Sequence, residues 1–481
     1  MSLVAAGTMI ADPLADLEAD AKAMNGLPSL ACWTAISACV LAGLVSPAFA
    51  SPFPPAANAV EQDAPTAPAV LPLRERARLQ DKWLAERLDQ IVPALMRAQK
   101  IDMWVLIARE YVEDPVVATM LDAESMHARR RTILIFYDPG AGRPVERLTV
   151  SRYGLGNLFK PAWKPDEEPD QWRQVGKLIA ERQPKRIAIN SSALNQFADG
   201  LTLSQHEGLM AALPAQLRER VVRTDALAVG WLETRTAAEM KVYPDIVRLA
   251  HAIIAEGLSD AVIQPGRTTA DDVSWWFREK VSSLGLKSWF HPSLGIIRKG
   301  KEGMLEGGEV IQKGDLLWTD FGLTYLGLNT DTQHLAYVLR DGEREAPKGL
   351  RDGLKAANAV QDALTSSFRT GRTGNQILAE ARTKALSGGL KPSIYSHPIG
   401  FHGHGAGSSI GFWDNQEADP QGEHPLRANT AWSIELSAKA RVPEWNNQEV
   451  EFRLEEDAFF DGAQIAYLDG RQSKFHLIGA R

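Results

Sequence analysis

The sequence predicts a two-part protein of the α/β (α+β) class, and three observations carry that reading. The chain has 481 residues, 44% of them hydrophobic, which is enough to bury a sizeable core and to make two or more domains. Helical and strand-like patterns alternate from residue 74 to 225, the order of an α/β domain. From residue 228 to 475 apolar strands ending on single carboxylates are separated by amphipathic helices.

In chain order, residues 1–50 read as a signal peptide. Residues 30–45 are apolar, and Ala48-Phe49-Ala50 has the small-x-small form of a signal-peptidase site before Ser51. The stretch ahead of it is acidic, with Asp12, Asp16, Glu18 and Asp20 against Lys22, so a start at Met24 suits a signal better. A single membrane anchor is the competing reading, but the short apolar run favours cleavage after Ala50 and a secreted, periplasmic protein. Both cysteines, Cys32 and Cys39, lie in this segment, so the mature chain would have neither a disulfide nor a thiol nucleophile. Its loss takes away four acids and one base and moves the net charge from −7 to −4. A weakly acidic chain without long basic runs is a poor nucleic-acid partner, and Arg129-Arg130-Arg131 reads as a loop cluster. No stable membrane association is expected after cleavage.

Residues 51–73, rich in Pro and Ala and without periodicity, read as an extended linker. Residues 74–99 are helical, with Leu79, Trp83, Leu84, Leu88, Ile91 and Leu95 on one face. Strands are expected at 103–108, 132–137, 147–151 and 186–190, with helices at 171–182 and 205–213, closing a domain over residues 74–225. The second half opens with helices at 237–263 and 269–284, the latter capped by Thr268 with Asp271 and Asp272 in its first turn. Trp275 and Trp276 read as the apolar stripe of that helix, in the core or at an interface. Two further helices are expected at 347–366 and 374–386.

Five residues in this half carry the chemistry. Asp320 ends the apolar run 314–320, and Asp331 follows 11 residues later at the head of a second strand, so an antiparallel pair brings the two carboxylates together. His397 opens a run, His397 to Gly407, in which three histidines interleave with glycines that let backbone approach a ligand. Glu435 ends the apolar run 430–434, and Glu455 shares one face of a strand with Glu451 and Arg453. Both glutamates are expected to be strand residues. Taken singly, each of these acids is a turn or solvated strand position. Together, four carboxylates in one pocket repel, and burying even one unpaired ion costs several kcal/mol. Two divalent cations would cancel their charge and leave neutral His397 as a fifth ligand. Oxygen and imidazole ligands without thiolate suit manganese first, then cobalt, zinc or iron.

Residues 228–475 resemble the pita-bread metallopeptidases, the family of methionine aminopeptidase, aminopeptidase P and prolidase. The resemblance rests on the spacing of Asp320 and Asp331, on His397, Gly400 and His404, and on Arg453-Leu454-Glu455. It implies a pita-bread catalytic domain in which Asp320 holds one metal, His397 and Glu435 the other, and Asp331 and Glu455 bridge the pair. A hydroxide held between the metals would be the nucleophile. Glu435 would shuttle the proton, His404 would hold the substrate carbonyl, and Arg453 would orient a ligand carboxylate. Residues 74–225 resemble the N-terminal domain of creatinase, aminopeptidase P and prolidase, which points to Xaa-Pro peptide or dipeptide hydrolysis and to a homodimer.

The sequence departs from that family in three places. No histidine stands in 300–306, where the peptidases place a substrate contact, and His291 is 29 residues ahead of Asp320. Leu436 follows Glu435 where Pro is common, and Thr332-Gln333-His334 follows Asp331 where an Arg is common. His291 and His334 are read as structural, and His402 as a spacer or surface residue. A non-peptidase relative acting on a small molecule, as creatinase or the sulfonio-propionate lyase does, is the alternative; a non-catalytic binding protein on the same fold is the third reading.

Overall fold

The computed structural model describes residues 67–479. The signal peptide, its cleavage after Ala50 and the linker as far as residue 66 lie outside the described residues.

The first helix, Leu73–Ala98, buries Trp83, Leu84, Leu88, Ile91, Val92 and Met96, the three- and four-residue spacing of one helical face. A six-stranded sheet follows in the order Lys160–Pro161, Glu146–Val150, Arg131–Tyr137, Met103–Arg109, Ile187–Asn190, Val221–Thr224. Met103–Arg109 runs antiparallel to Arg131–Tyr137 and parallel to Ile187–Asn190. Its central strands, Arg131–Tyr137, Met103–Arg109 and Ile187–Asn190, are buried on both faces because both are covered. Met103, Val105 and Ile107 pack with Val175, Ile179 and Leu209 from the helices Gln171–Arg182 and Leu203–Ala212. Trp104 and Leu106, pointing the other way, pack with the first helix and with Leu227 and Trp231 of Ala226–Glu233.

A buried ion cluster joins this half to the next. Arg87 of the first helix meets Glu239 at 3.0 Å, both side chains 1% exposed, and Arg235 stands 3.6 Å from the same carboxylate. The expected helix 237–263 is two helices, Ala237–Met240 and Tyr243–Gly257. Pro244 has no amide hydrogen and is tolerated only in a first turn, so a new helix starts at Tyr243. The next helix, Ala270–Ser283, is capped by Thr269 and not by Thr268: Thr269 accepts from the Asp272 amide while the Asp272 carboxylate accepts from the Thr269 amide. Thr268 Oγ1 instead accepts from the Gln264 amide at 2.9 Å, closing the preceding turn. Trp275 on this helix is 48% exposed, whereas Phe277 is the buried aromatic.

Three larger sheets and a two-stranded hairpin, Thr324–Tyr325 against Leu328–Asn329, build the second half. Leu316–Phe321 lies between Ser293–Ile297 and Thr332–Val338, with His476–Ile478 beyond. A second sheet orders Pro392–Ile394, Leu436–Val442, Gln448–Leu454, and a third His397–Ile399, Thr430–Ser433, Asp457–Phe460, Ile465–Tyr467. The helix Lys348–Thr365 packs Leu350, Leu354 and Val360 into the same core as Leu436, Ala438 and Phe452, and Gly374–Ser387 adds Ile377 and Leu378. The chain passes from the third sheet to the second after Ser433 and back again after Leu454. Glu435 and Glu455 sit in these two crossings, not inside strands as expected. Glu455 keeps one antiparallel bridge, to Gln333 of the first sheet, so the crossings stand where the sheets meet. No helix among the described residues is long and apolar enough to cross a membrane.

Candidate metal centre

Asp320 enters the site from the strand Leu316–Phe321, whose register places it opposite Gln333 on one side and Ser293 on the other. The link to Asp331 is a tight hairpin, Thr324–Tyr325 against Leu328–Asn329, with Leu326 and Gly327 both at positive φ, 56° and 78°. Two consecutive left-handed residues match the twist of the flanking strands, and the turn returns the chain so that Asp331 faces Asp320. The Asp331 amide donates to Asp457 Oδ2 at 3.2 Å.

His397 lies opposite Ser433 on the third sheet. Its Nδ1 is 3.1 Å from the Pro398 carbonyl oxygen, which can only accept, so the ring proton belongs on Nδ1 and the Nε2 lone pair faces the centre. Nε2 is 3.8 Å from each of Asp331 Oδ2, Glu435 Oε2 and Glu455 Oε1. The glycines of the run allow close packing: a Cβ at Gly403 would stand 2.3 Å from the Trp289 ring. His404 is exposed at the mouth, edge-on to His397 at 4.8 Å and to Trp289 at 5.5 Å.

Glu435 Oε1 accepts from Gln333 Nε2 at 2.5 Å and from Trp413 Nε1 at 3.2 Å, which leaves Oε2 for the centre. Glu455 Oε1 accepts from the Ser433 hydroxyl. The ligand-type atoms fall into overlapping groups, Asp320, Asp331 and Glu455 in one and His397, Glu435 and Glu455 in another, with all atoms of a group within 4.8 Å of one another. Asp331, His397 and His404 form a third such group.

Burial sets the charge state. It pushes Asp320 up to about 7 and Glu435 up to about 8, and drives Asp331 and Glu455 well above the usual carboxylate range, where their mutual repulsion adds to it. Burial pushes His397 down to about 3, so its imidazole is neutral and free to coordinate. Among the described residues, His397 Nε2 and Asp320 Oδ1 are buried without any hydrogen-bond partner. Such orphans cost free energy unless something else binds them, and four converging carboxylates with a neutral imidazole are the donor set of hard to borderline divalent cations. The residues therefore fit two metal ions.

All six residues expected at the centre, Asp320, Asp331, His397, His404, Glu435 and Glu455, are brought together. Arg453 stands beside them, between Trp318 at 5.6 Å and Trp413 at 5.3 Å, and pairs with Glu451 at 3.2 Å. Its charge offsets part of the upward push that burial gives Asp320 and Glu435, but among the described residues it makes no hydrogen bond to a ligand carboxylate; Gln333 and Trp413 orient Glu435 instead. Gln333, Trp413 and Ser433 went unread in the sequence because nothing in a neutral side chain marks its hydrogen-bond partner. His291 is exposed, tilted against Trp275 at 5.0 Å and facing Arg278 at 3.4 Å, and belongs to none of the ligand groups. His402 is no free surface residue: it stacks on Phe197 at 3.9 Å and joins the glycine-histidine run to the first half.

A cavity of about 310 Å³ opens beside His397 and His404, lined also by Tyr395 and Phe412 and by Leu194 and Phe197 from the first half. A larger one, about 840 Å³, lies against the helix Leu73–Ala98 and includes none of the ligand residues.

Residues 245–466 match the sequence model of metallopeptidase family M24. No curated protein matches the chain in sequence. Solved structures similar to it include an X-Pro aminopeptidase from Thermotoga maritima, 15% identical with a TM-score of 0.57, over 80% of this chain and 99% of that one. An Xaa-Pro dipeptidase from Bacillus anthracis is 17% identical with a TM-score of 0.54, over 85% of this chain and all of that one, 100%. A dipeptidase from Pyrococcus horikoshii is 15% identical with a TM-score of 0.55, over 82% and 99%. At these identities the likeness is one of fold.

Proposed function

We propose that this protein, whose residues 245–466 match the metallopeptidase family M24 model, is a dinuclear Xaa-Pro peptidase, cleaving the bond before proline at the N-terminus of peptides or in dipeptides. The observation that carries the reading is the overlap of the two ligand groups on Glu455, with Asp331 reaching His397 as well, which suits two ions sharing bridging carboxylates. Asp320, Asp331, His397, Glu435 and Glu455 would hold the ions, manganese first. When bound, such ions lower the pKa of water and polarise a carbonyl.

The residues around them divide the remaining work. Glu435, with Oε1 occupied by Gln333 and Trp413, takes and returns a proton at Oε2. His404, exposed at the mouth beside the cavity, donates to the substrate carbonyl oxygen. Tyr395 and Phe412 give that cavity an apolar wall of a kind suited to a pyrrolidine ring. We also propose export after Ala50, which N-terminal sequencing of the mature protein would check, and a homodimer, which light scattering of the purified protein would check.

Hydrolysis of Xaa-Pro dipeptides, Xaa-Pro tripeptides and proline-free controls, by protein reconstituted with manganese and checked for metal content, tests the proposal. Proline-dependent cleavage supports it. Bound metal with every peptide left intact moves the reading to a relative acting on a small molecule.

A further inference from the structure

One residue beyond Glu455, a second set of ligand-type side chains converges that the proposed hydrolysis does not use. His251 comes from the helix Tyr243–Gly257, His334 from the strand Thr332–Val338 and Glu456 from the sheet crossing. They are 8%, 5% and 0% exposed. His251 Nε2 lies 3.1 Å from Glu456 Oε2, His334 Nε2 lies 3.1 Å from Glu456 Oε1, and the three ligand atoms form a group within 4.8 Å of one another.

Hydrogen bonding satisfies only part of this cluster: His334 Nε2 is hydrogen-bonded to Glu456 Oε1, whereas the other pair is not. Close as they are, His251 Nε2 and Glu456 Oε2 are not aligned for a hydrogen bond to each other, and neither has another partner among the described residues. With a proton on His251 the two form a buried ion pair at 3.1 Å, and a divalent cation lying off the line between them would take that proton's place. The outer nitrogens are arranged as metal-binding imidazoles require. His251 Nδ1 is held by Asp469 Oδ2 at 3.0 Å, and Arg248 in turn holds Asp469 at 3.0 Å. His334 Nδ1 meets His476 Nε2 at 3.1 Å. Each ring is thereby fixed with Nε2 inward, and the Gln472 amide fixes Glu456 by donating to Oε1 at 2.6 Å. Asp469 and His476 are partly exposed, which gives an ion a way in from the surface.

We propose that His251, His334 and Glu456 form a third metal site, separate from the pair in the cleft, for one borderline divalent transition-metal ion. Two imidazoles and one carboxylate without thiolate suit zinc, cobalt or iron rather than calcium or magnesium. The ion would pin a helix, a central strand and the second sheet crossing at one point, and through His476 the C-terminal strand as well. The site does not depend on what the cleft hydrolyses.

Metal analysis of the full chain after loading with Zn²⁺ and removal of free ion tests it. Wild type should hold three ions per chain, and His251→Gln and Glu456→Gln should each hold two, with unchanged far-UV circular dichroism. A variant with the cleft dismantled, Asp320→Asn with His397→Ala, should still bind an ion that adding His251→Gln removes; this readout stands if either single variant fails to fold. Two ions in wild type would overturn the proposal and leave the cluster a hydrogen-bonded network with a proton on His251. Three ions retained in His251→Gln or in Glu456→Gln would overturn it too, by placing the third ion elsewhere. Neither result touches the peptidase reading, which stands or falls on peptide cleavage.

Discussion

Gln333 grips the centre twice: its side chain donates to Glu435 Oε1 at 2.5 Å, and its main chain pairs with Glu455 in both directions, at 3.1 and 3.2 Å. The amide is itself oriented by Trp318 Nε1, which donates to Gln333 Oε1 at 3.0 Å. One neutral residue thus sets the positions of two ligand carboxylates on different crossings. Groups that orient metal ligands typically change metal affinity or activity by about 10–100-fold when removed. Gln333→Ala is therefore expected to lower kcat/KM by about 10–100-fold, with part of the loss recovered at high metal concentration. Unchanged kinetics across a metal titration would show that Trp413 alone suffices to hold Glu435.

Glu435 should matter more. Its proposed proton-transfer role and its proposed place among the ligands would both vanish in Glu435→Ala, and general acid–base groups contribute about 10²–10⁴-fold. Hydrolysis is expected to fall by at least about 10²-fold while circular dichroism stays native. A Glu435→Ala protein that cleaves peptide at the wild-type rate would sink the mechanism.

Metal-free protein should become less stable as pH rises through neutrality. Burial holds the folded-state values of Asp320 near 7 and Glu435 near 8, above those of an unfolded chain. Between pH 6.5 and 8 the folded form therefore carries protons that the unfolded form has released, and stability falls with pH. His397, held neutral in the folded form, offsets a small part of that fall near pH 6.5, where the unfolded form still gives up its proton. The loss should be about 2 kcal/mol over that window, and saturating divalent metal should abolish it. Thermal melts at pH 6.5, 7.25 and 8, with and without metal, decide the matter; a metal-free melting temperature that rises with pH contradicts it.

The Arg87–Glu239 pair joins the two halves through buried charges, and burial pushes the Arg87 guanidinium down to about 10. Removing one partner strands the other, which typically costs about 3–5 kcal/mol. Glu239→Ala, which strands Arg235 as well as Arg87, is expected to lose that much in urea denaturation. A shift below about 1 kcal/mol would mean that water reaches the guanidinium groups in the variant.

Much of the centre could be read before any fold was known, because each ligand is a charged or imidazole side chain at the edge of an apolar run. Asp320 and Asp331 announce a hairpin by their spacing and the turn residues between them, and Leu326 with Gly327 makes that turn. Glu435 and Glu455 were misread as strand residues, since an apolar run looks the same whether the strand ends before its carboxylate or after it. Thr268 and Thr269 are adjacent hydroxyls, and only the reciprocal bond to Asp272 chooses between them.

Which residues could ligate metal, their order along the chain and the alternation of helices and strands are legible without a fold, because side-chain chemistry and hydrophobic period are local properties. Tertiary structure decided who stands behind whom. Gln333 meets Glu435 across 102 residues and His334 meets Glu456 across 122, contacts that exist only because three sheets converge at two crossings. Local pattern reports whether a position is buried. The partner it finds there is set by how the sheets close, and that closure turned the run of Glu455 and Glu456 into two carboxylates serving different clusters.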